Sequence, residues 1–204
     1  MDSWLYIAFI LTSAALIVVP GPNVLVIVST TISHGTKRGI QTVLGTSSAM
    51  LIQLLIAALG TAWFVETVTQ GFEWLRWLGA TYLIYLGLQH LFKVYQPHKD
   101  EKAISASSTF TRGFLVSLTN PKTILFFGAF LPQFASPNGD YTTQILVLSA
   151  TFLCLATLLD ALYAIAAGRV RNYIQSPRAI QLQHGLSGIL FMGAGAWLAF
   201  ARKG

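Results

Sequence analysis

The chain has 204 residues, 54% of them hydrophobic and 10% charged, with a mean hydropathy of +0.62. A soluble domain carries about 25% charged residues, so there is too little charge here to cover a wetted surface, and an integral membrane protein is expected. Thirteen Lys and Arg against seven Asp and Glu leave a net charge of +6. In so apolar a chain that excess bears on loop placement, and nucleic acid is not an expected partner.

Six apolar runs lie at about 4–32, 40–65, 73–95, 112–135, 143–168 and 181–201, each long enough to cross about 30 Å of hydrocarbon. The first opens on MDSWLYIAF, which lacks the basic stretch of a cleavable signal peptide, so this span is expected to stay in the mature chain. It is interrupted at Pro20-Gly21-Pro22-Asn23. Proline has no amide hydrogen and its ring clashes with the carbonyl four residues back. The carbonyls of Leu16 and Val18 therefore lose their helical donors. The second run carries Gly45 and Ala49 as a small-xxx-small contact, with Ser47, Ser48 and Gln53 as either polar lining or interhelical hydrogen bonds. After the third comes YQPHKDEKAISASST (95–109), the longest polar connector and the solvated mid-chain linker.

The fourth run, in GFLVSLTNPKTILFFGAFLPQF (113–134), breaks at Asn120-Pro121, which frees the carbonyl of Ser117. The fifth holds Cys154, alone in the chain and so without an intramolecular disulfide partner, and Asp160 in LCLATLLDALYAIAAG. No connector is long enough for a soluble domain. A single six-helix membrane domain over 1–204 is expected, with one repeat at about 1–95, a cytoplasmic linker at about 96–111 and a second repeat at about 112–204.

Basic residues orient such a chain. Lys37 and Arg38 sit in the first connector, Lys93, Lys99, Lys102 and Arg112 around the third, and Arg169, Arg171 and Arg178 in the fifth. Glu66, Glu73 and Asp140 mark the second and fourth, with Arg76 just inside the third span. The odd-numbered connectors are therefore expected in the cytoplasm and both termini outside, although Arg202 and Lys203 pull the other way. Trp4, Trp63, Trp74, Trp77 and Trp197 fall near span ends, where amphipathic rings favour the interface.

Three spans on each side of the linker force the second half to run opposite to the first. That is the inverted-repeat plan of many secondary transporters, in which paired Pro/Gly interruptions point to a site at the bilayer midplane. Unpaired backbone groups in hydrocarbon cost several kcal/mol each, roughly, and persist only where protein, water or substrate supplies a partner. Each break also starts a half-helix whose free amides and positive dipole end favour an anion such as a carboxylate. Pro20, Gly21, Pro22, Asn23, Asn120 and Pro121 are thus candidate substrate-binding residues, the two asparagines either capping the half-helices or holding polar groups of a ligand. Ordinary proline kinks are the alternative.

PGPN with its apolar run, HGTKRG (34–39), GATYLIYLGLQHL (79–91) and, most specifically, GFLVSLTNPKTILFFGAFLPQF together resemble the lysine-exporter (LysE)/RhtB translocator family, in order along nearly the whole chain. The resemblance implies export of amino acids or close derivatives from the bacterial cytoplasm by proton antiport, across the inner membrane. Two departures stand out. Where many relatives carry an acidic or His residue in the second span, this chain reads GTSSAMLIQ, with Met50 and Gln53. Many also carry an Asp about seven residues before a Tyr-Ala pair in the fifth span. Here Tyr163-Ala164 is present but that position is Ala156, and Asp160 lies one turn later on the same face.

Ionisable groups inside a membrane are by default functional candidates. Asp160 is the candidate for proton coupling, because burial disfavours the charged form of a carboxyl; a structural Asp hydrogen-bonded to Tyr163 or a neighbouring hydroxyl is the alternative. Lys122, directly after the second break, either attracts a substrate carboxylate, pairs with Asp160, or reaches for the surface. Gln53 and Tyr163 complete the candidate substrate site. His34, His90, His98 and His184 lie near span ends without metal-ligand spacing and are expected at the interface. No nucleophile–base arrangement or phosphate loop is present in the sequence, so neither an enzyme nor a cofactor is expected. The expected partners are a small amino-acid-like solute, protons and the bilayer, with a homodimer as a packing possibility. Export of a metal or other small ion, and a non-transporting intramembrane scaffold, are the competing functions.

Overall fold

The computed structural model describes residues 2–59, 77–78, 80–92, 94, 105–136, 140–171 and 177–200. Trp63, Glu66, Glu73, Trp74, Arg76, Lys93, His98, Lys99, Lys102, Arg202 and Lys203 lie outside them, as do the side chains of Arg178, His184 and Trp197. Every regular element among the described residues is helical.

Helix α1 (Ser3–Val18) starts where the Asp2 carboxylate accepts from the Trp4 amide at 3.0 Å. It stops because Pro20 and Pro22 offer no amides. Val19, ahead of a proline, turns extended (φ −67°, ψ 116°). Gly21 is the extended N-cap of α2 (Pro22–His34), and Pro22 sits in its first turn, where a missing amide costs nothing. The two axes differ by 50° across the break. Helix α2 ends at Gly35, whose φ of +88° favours glycine, and α3 (Thr36–Leu59) follows at once. Residues 80–92 form α4.

Ser105 caps α5 (Ala106–Leu118) by accepting from the Ser108 amide. Asn120 then caps α6 (Pro121–Leu125). The chain continues through a π-helical turn, Phe126–Phe130, and a 3-10 turn, Leu131–Phe134. Asp140 caps α7 (Tyr141–Arg171) by accepting from the Thr143 amide at 2.8 Å. Hydrogen bonds from Thr143 hold its carboxyl below the ordinary carboxylate range. Helix α8 is Pro177–Phe200.

Helices α3 and α7 are each long and apolar enough to cross a membrane, and the bent pair α1–α2 makes a third such span. Where the fourth span is expected, the chain forms the interrupted series α5, α6 and the two turns. Only 80–92 and its immediate flanks represent the third among the described residues. The outer surface is apolar: Leu11, Leu158 and Leu162 are each more than half exposed. That is the inside-out relation expected of a chain solvated by lipid. Trp4 and Trp77 are both exposed, consistent with interfacial rings.

Two apolar clusters organise the interior. One is aromatic, with Phe9, Phe126, Phe127 and Phe152 packed among Ile17, Met50 and Ala156. The other gathers Val26, Val43, Leu83, Val116 and Phe191. Helix α3 lies against α5 and α7. A Cβ on Gly45 would collide with the Phe110 carbonyl, and one on Gly113 with the Thr42 carbonyl. Gly45 thus makes the small-residue contact expected of it, with α5 as its partner. Ser47 bonds the Thr157 hydroxyl at 2.8 Å, joining α3 to α7, while exposed Ser48 returns to the Leu44 carbonyl. Ser47 therefore serves helix packing, while Ser48 bonds only its own helix. Cys154 is free and exposed on α7.

Candidate functional site

The two breaks, far apart in sequence, meet. Asn120 donates from Nδ2 to Asn23 Oδ1 at 2.9 Å, and Asn23 in turn donates to Ser117 Oγ at 3.2 Å. Both asparagines and Ser117 are buried. Asn120 also caps its own half-helix, its Oδ1 accepting from the Lys122 amide at 3.0 Å. Asn23 lies within the first turn of α2 rather than at its cap, and its amide meets Ser117 and Asn120 of the other break and the Met50 sulfur of α3.

Two of the carbonyls that the prolines release, those of Val18 and Ser117, find donors from distant side chains, as do their neighbours Val19 and Leu118. Tyr163 Oη donates to Val18 O at 2.8 Å, and Lys122 Nζ donates to Val19 O. Gln53 Nε2 donates to Ser117 O at 3.1 Å and Leu118 O at 3.0 Å. Each pairing removes a penalty of several kcal/mol, roughly, that an orphaned carbonyl carries in hydrocarbon. Gln53 is thereby a brace for the second break rather than simple lining. Lys122 lies across Gly21, where a Cβ would stand 3.3 Å from its Cδ.

Asp160, 3% exposed, faces this junction from α7. The groups that act on it are the Lys122 ammonium and the Thr46 hydroxyl. Tyr163 is committed to Val18 O, so the alternative of a Tyr163-held carboxylate gives way to Thr46 as the neighbouring hydroxyl. A cavity of about 30 Å³ lies here, lined by Gly21, Asn23, Met50, Asn120, Lys122 and Asp160 among others. It has room for one or two waters. Ala156 and Asp160 line the same cavity, so a carboxylate one turn later still reaches the junction. Met50, on α3, lies 4.0 Å by its sulfur from Asn23 Nδ2.

Pro20, Gly21, Pro22, Asn23, Asn120, Pro121, Lys122, Gln53, Tyr163 and Asp160 therefore converge on one junction, as backbone breaks or as the side chains that bind them. The Ser117 hydroxyl, Thr46 and Thr123 join them without having been singled out by the sequence, which pointed only to the Ser117 carbonyl. Their signal, a hydroxyl within an apolar run, is shared by many residues whose bond is to their own helix, as with Ser29 and Ser48. His90, near the end of α4, is turned into the protein. It is 4% exposed, with its ring 5.6 Å from that of Phe191 and its Nε2 2.9 Å from Arg112. Packing between α4, α5 and α8 has drawn it inward. Among the described residues no three His, Cys, Asp or Glu side chains group so as to hold a metal ion.

A membrane-embedded helical protein with two interrupted helices meeting at a buried polar junction has the organisation of a translocator. The profile of the LysE type translocators matches residues 14–202, and the chain belongs to that family, whose members are transporters and not enzymes. It is 32% identical to a homoserine/homoserine lactone efflux protein of Salmonella typhimurium, over 97% of each chain. It is 31% identical to a leucine efflux protein of Enterobacter sp., over 98% of this chain and 95% of that one. An uncharacterized membrane protein of Vibrio cholerae is 28% identical over 99% of this chain and its own full length. No solved structure matches.

Proposed function

We propose that this protein is a secondary exporter of amino acids or close derivatives across the bacterial inner membrane, driven by proton antiport. The observation that carries the reading is the junction itself. Two broken helices are tied by Asn23 and Asn120, with a cation, Lys122, and a buried carboxyl, Asp160, beside a small cavity. Relatives named for efflux of homoserine, its lactone and leucine support the cargo class.

In this reading Lys122 and the α6 half-helix favour the cargo's carboxylate, and Asn23 and Asn120 hold its polar groups. Asp160 carries the proton: when protonated it leaves Lys122 free to draw the anionic end of the cargo, and when ionised it competes for the same cation. Two inverted three-helix halves, hinged at the breaks, alternate the access of the site.

Reconstitution in liposomes tests this. Preloaded leucine or homoserine is expected to leave faster under an imposed pH gradient, and Asp160→Asn is expected to remove the dependence on that gradient. An unchanged pH response in Asp160→Asn overturns the coupling role. Movement of a divalent metal ion, but of no amino acid in a broad panel, overturns the cargo assignment.

A further inference from the structure

A second polar cavity, separate from the junction, opens between α4 and α5. It has a volume of about 870 Å³ and is lined by Tyr82, Tyr85, Gln89, His90, Ser108 and Arg112 among others. Arg112 enters it from the first half of α5. One guanidinium nitrogen, Nη2, lies 2.9 Å from His90 Nε2, while Nε is buried with no hydrogen-bond partner. Among the described residues, the charged or titratable groups acting on that guanidinium are the phenols of Tyr82 and Tyr85, and no carboxylate is among them. Gln89 Nε2 donates to Tyr85 Oη at 2.6 Å, holding that phenol at the rim.

A guanidinium is always charged and presents a planar fork of donors that matches a carboxylate in two places. Taking it out of water beside phenols and an imidazole, without a counter-charge, is costly unless an anion completes it. Arg112 stands eight residues before Asn120, about 12 Å along the helix. The apolar cluster around Val26, Leu83 and Val116 packs at the levels between them. The cavity also lies toward the end of α5 that follows the mid-chain linker, in which Lys99 and Lys102 are balanced by Asp100 and Glu101.

We infer that this cavity is a carboxylate-binding vestibule in which Arg112, with the Tyr82 hydroxyl, captures the free carboxylate of the cargo on the linker side before it reaches the junction. The inference rests on the amino-acid export reading for the identity of the carboxylate, and on the odd-numbered connectors being cytoplasmic for its side. The site selects for cargo with a free carboxylate and passes over amides and lactones, which lack the second anionic oxygen.

Binding to the full chain in phosphatidylcholine nanodiscs separates this from transport. The probes are L-leucine against L-leucinamide and L-homoserine against its lactone. Arg112→Gln is expected to weaken each free acid by at least about tenfold and to leave the amide and lactone within about twofold. Arg112→Lys is expected to fall between, since it keeps charge but loses the fork. Tyr82→Phe, which removes one hydroxyl and keeps the ring, covers the case in which Arg112→Gln does not fold; a selective loss for the acids is again expected. Equal losses for acid and amide, no Arg112-dependent binding of any free acid, or loss of acid binding when phosphatidylglycerol replaces phosphatidylcholine overturns the proposal. Arg112-dependent binding without export in liposomes would count against the export reading alone. Export with a half-saturating concentration unchanged by Arg112→Gln counts against the vestibule alone.

Discussion

Asn120 shows how much one buried amide can fix. Its oxygen caps α6 and its nitrogen reaches Asn23 across the junction. Replacing it with Ser keeps an N-cap but loses the donor, and about 1 kcal/mol of stability is expected to go with it. Replacing it with Ala loses both and leaves Asn23 unsatisfied, so about 2–3 kcal/mol is expected. Thermal unfolding of the three proteins in one detergent orders them, and equal destabilisation by Ser and Ala would show that the cap contributes nothing. At this scale the sequence was informative about which residues matter and less so about what they hold. The breaks and the lone acid of the fifth span were legible because proline chemistry and the expense of an intramembrane charge are local rules. Gln53 could not be read as a brace, because its acceptors, Ser117 O and Leu118 O, are 64 and 65 positions away. Arg112 looked like one more positive charge near a linker. Its burial against His90 depends on how α4 meets α5, which no local pattern encodes.

Among the elements, α3 and α5 make the closest approach, with Gly45 under the Phe110 carbonyl and Gly113 under the Thr42 carbonyl. Gly45→Val is expected to push α5 away and, because α5 carries Ser117 and leads into Asn120, to disturb the junction as well. A Cβ on exposed Gly193 meets nothing within 4 Å, so Gly193→Ala serves as the matched control. The expected result is a large loss of monodisperse protein by size-exclusion chromatography for Gly45→Val and none for Gly193→Ala. Equal behaviour of the two would mean that the close approach is dispensable. The small-xxx-small pattern at Gly45 and Ala49 announced a contact but not its partner. The π-helical turn at Phe126–Phe130 had no sequence signature at all. It widens the helix where Phe126, Phe127 and Phe152 pack together, and that crowding becomes visible only once α7 is in place.

For the whole molecule, the basic connectors assign an orientation that accessibility can check. With Cys154 replaced by Ala, a single cysteine at Lys37 is expected to react with an impermeant maleimide only from the cytoplasmic side. A single cysteine at Asp140 is expected to react only from outside. The reverse pattern would invert the export direction proposed above. The apolar exterior follows from composition alone, as does the choice of helices over strands in runs of this length. The six-span, two-repeat plan remains a proposal built on the count of apolar runs and on the two matched breaks.

The braces at the first break also have a bearing on biosynthesis. Val18 O and Val19 O are closed by Tyr163 and Lys122, residues 145 and 103 positions later in the chain. At about 5–20 residues per second, the ribosome needs on the order of ten seconds or more to supply them. For that interval the first span cannot rest in lipid in its final form. Until the second half arrives it needs water, a translocase or a straighter temporary geometry to satisfy its backbone. The first half is therefore an obligate apprentice to the second, and a polypeptide halted at the mid-chain linker is expected to leave a segment that cellular proteases recognise as unfinished.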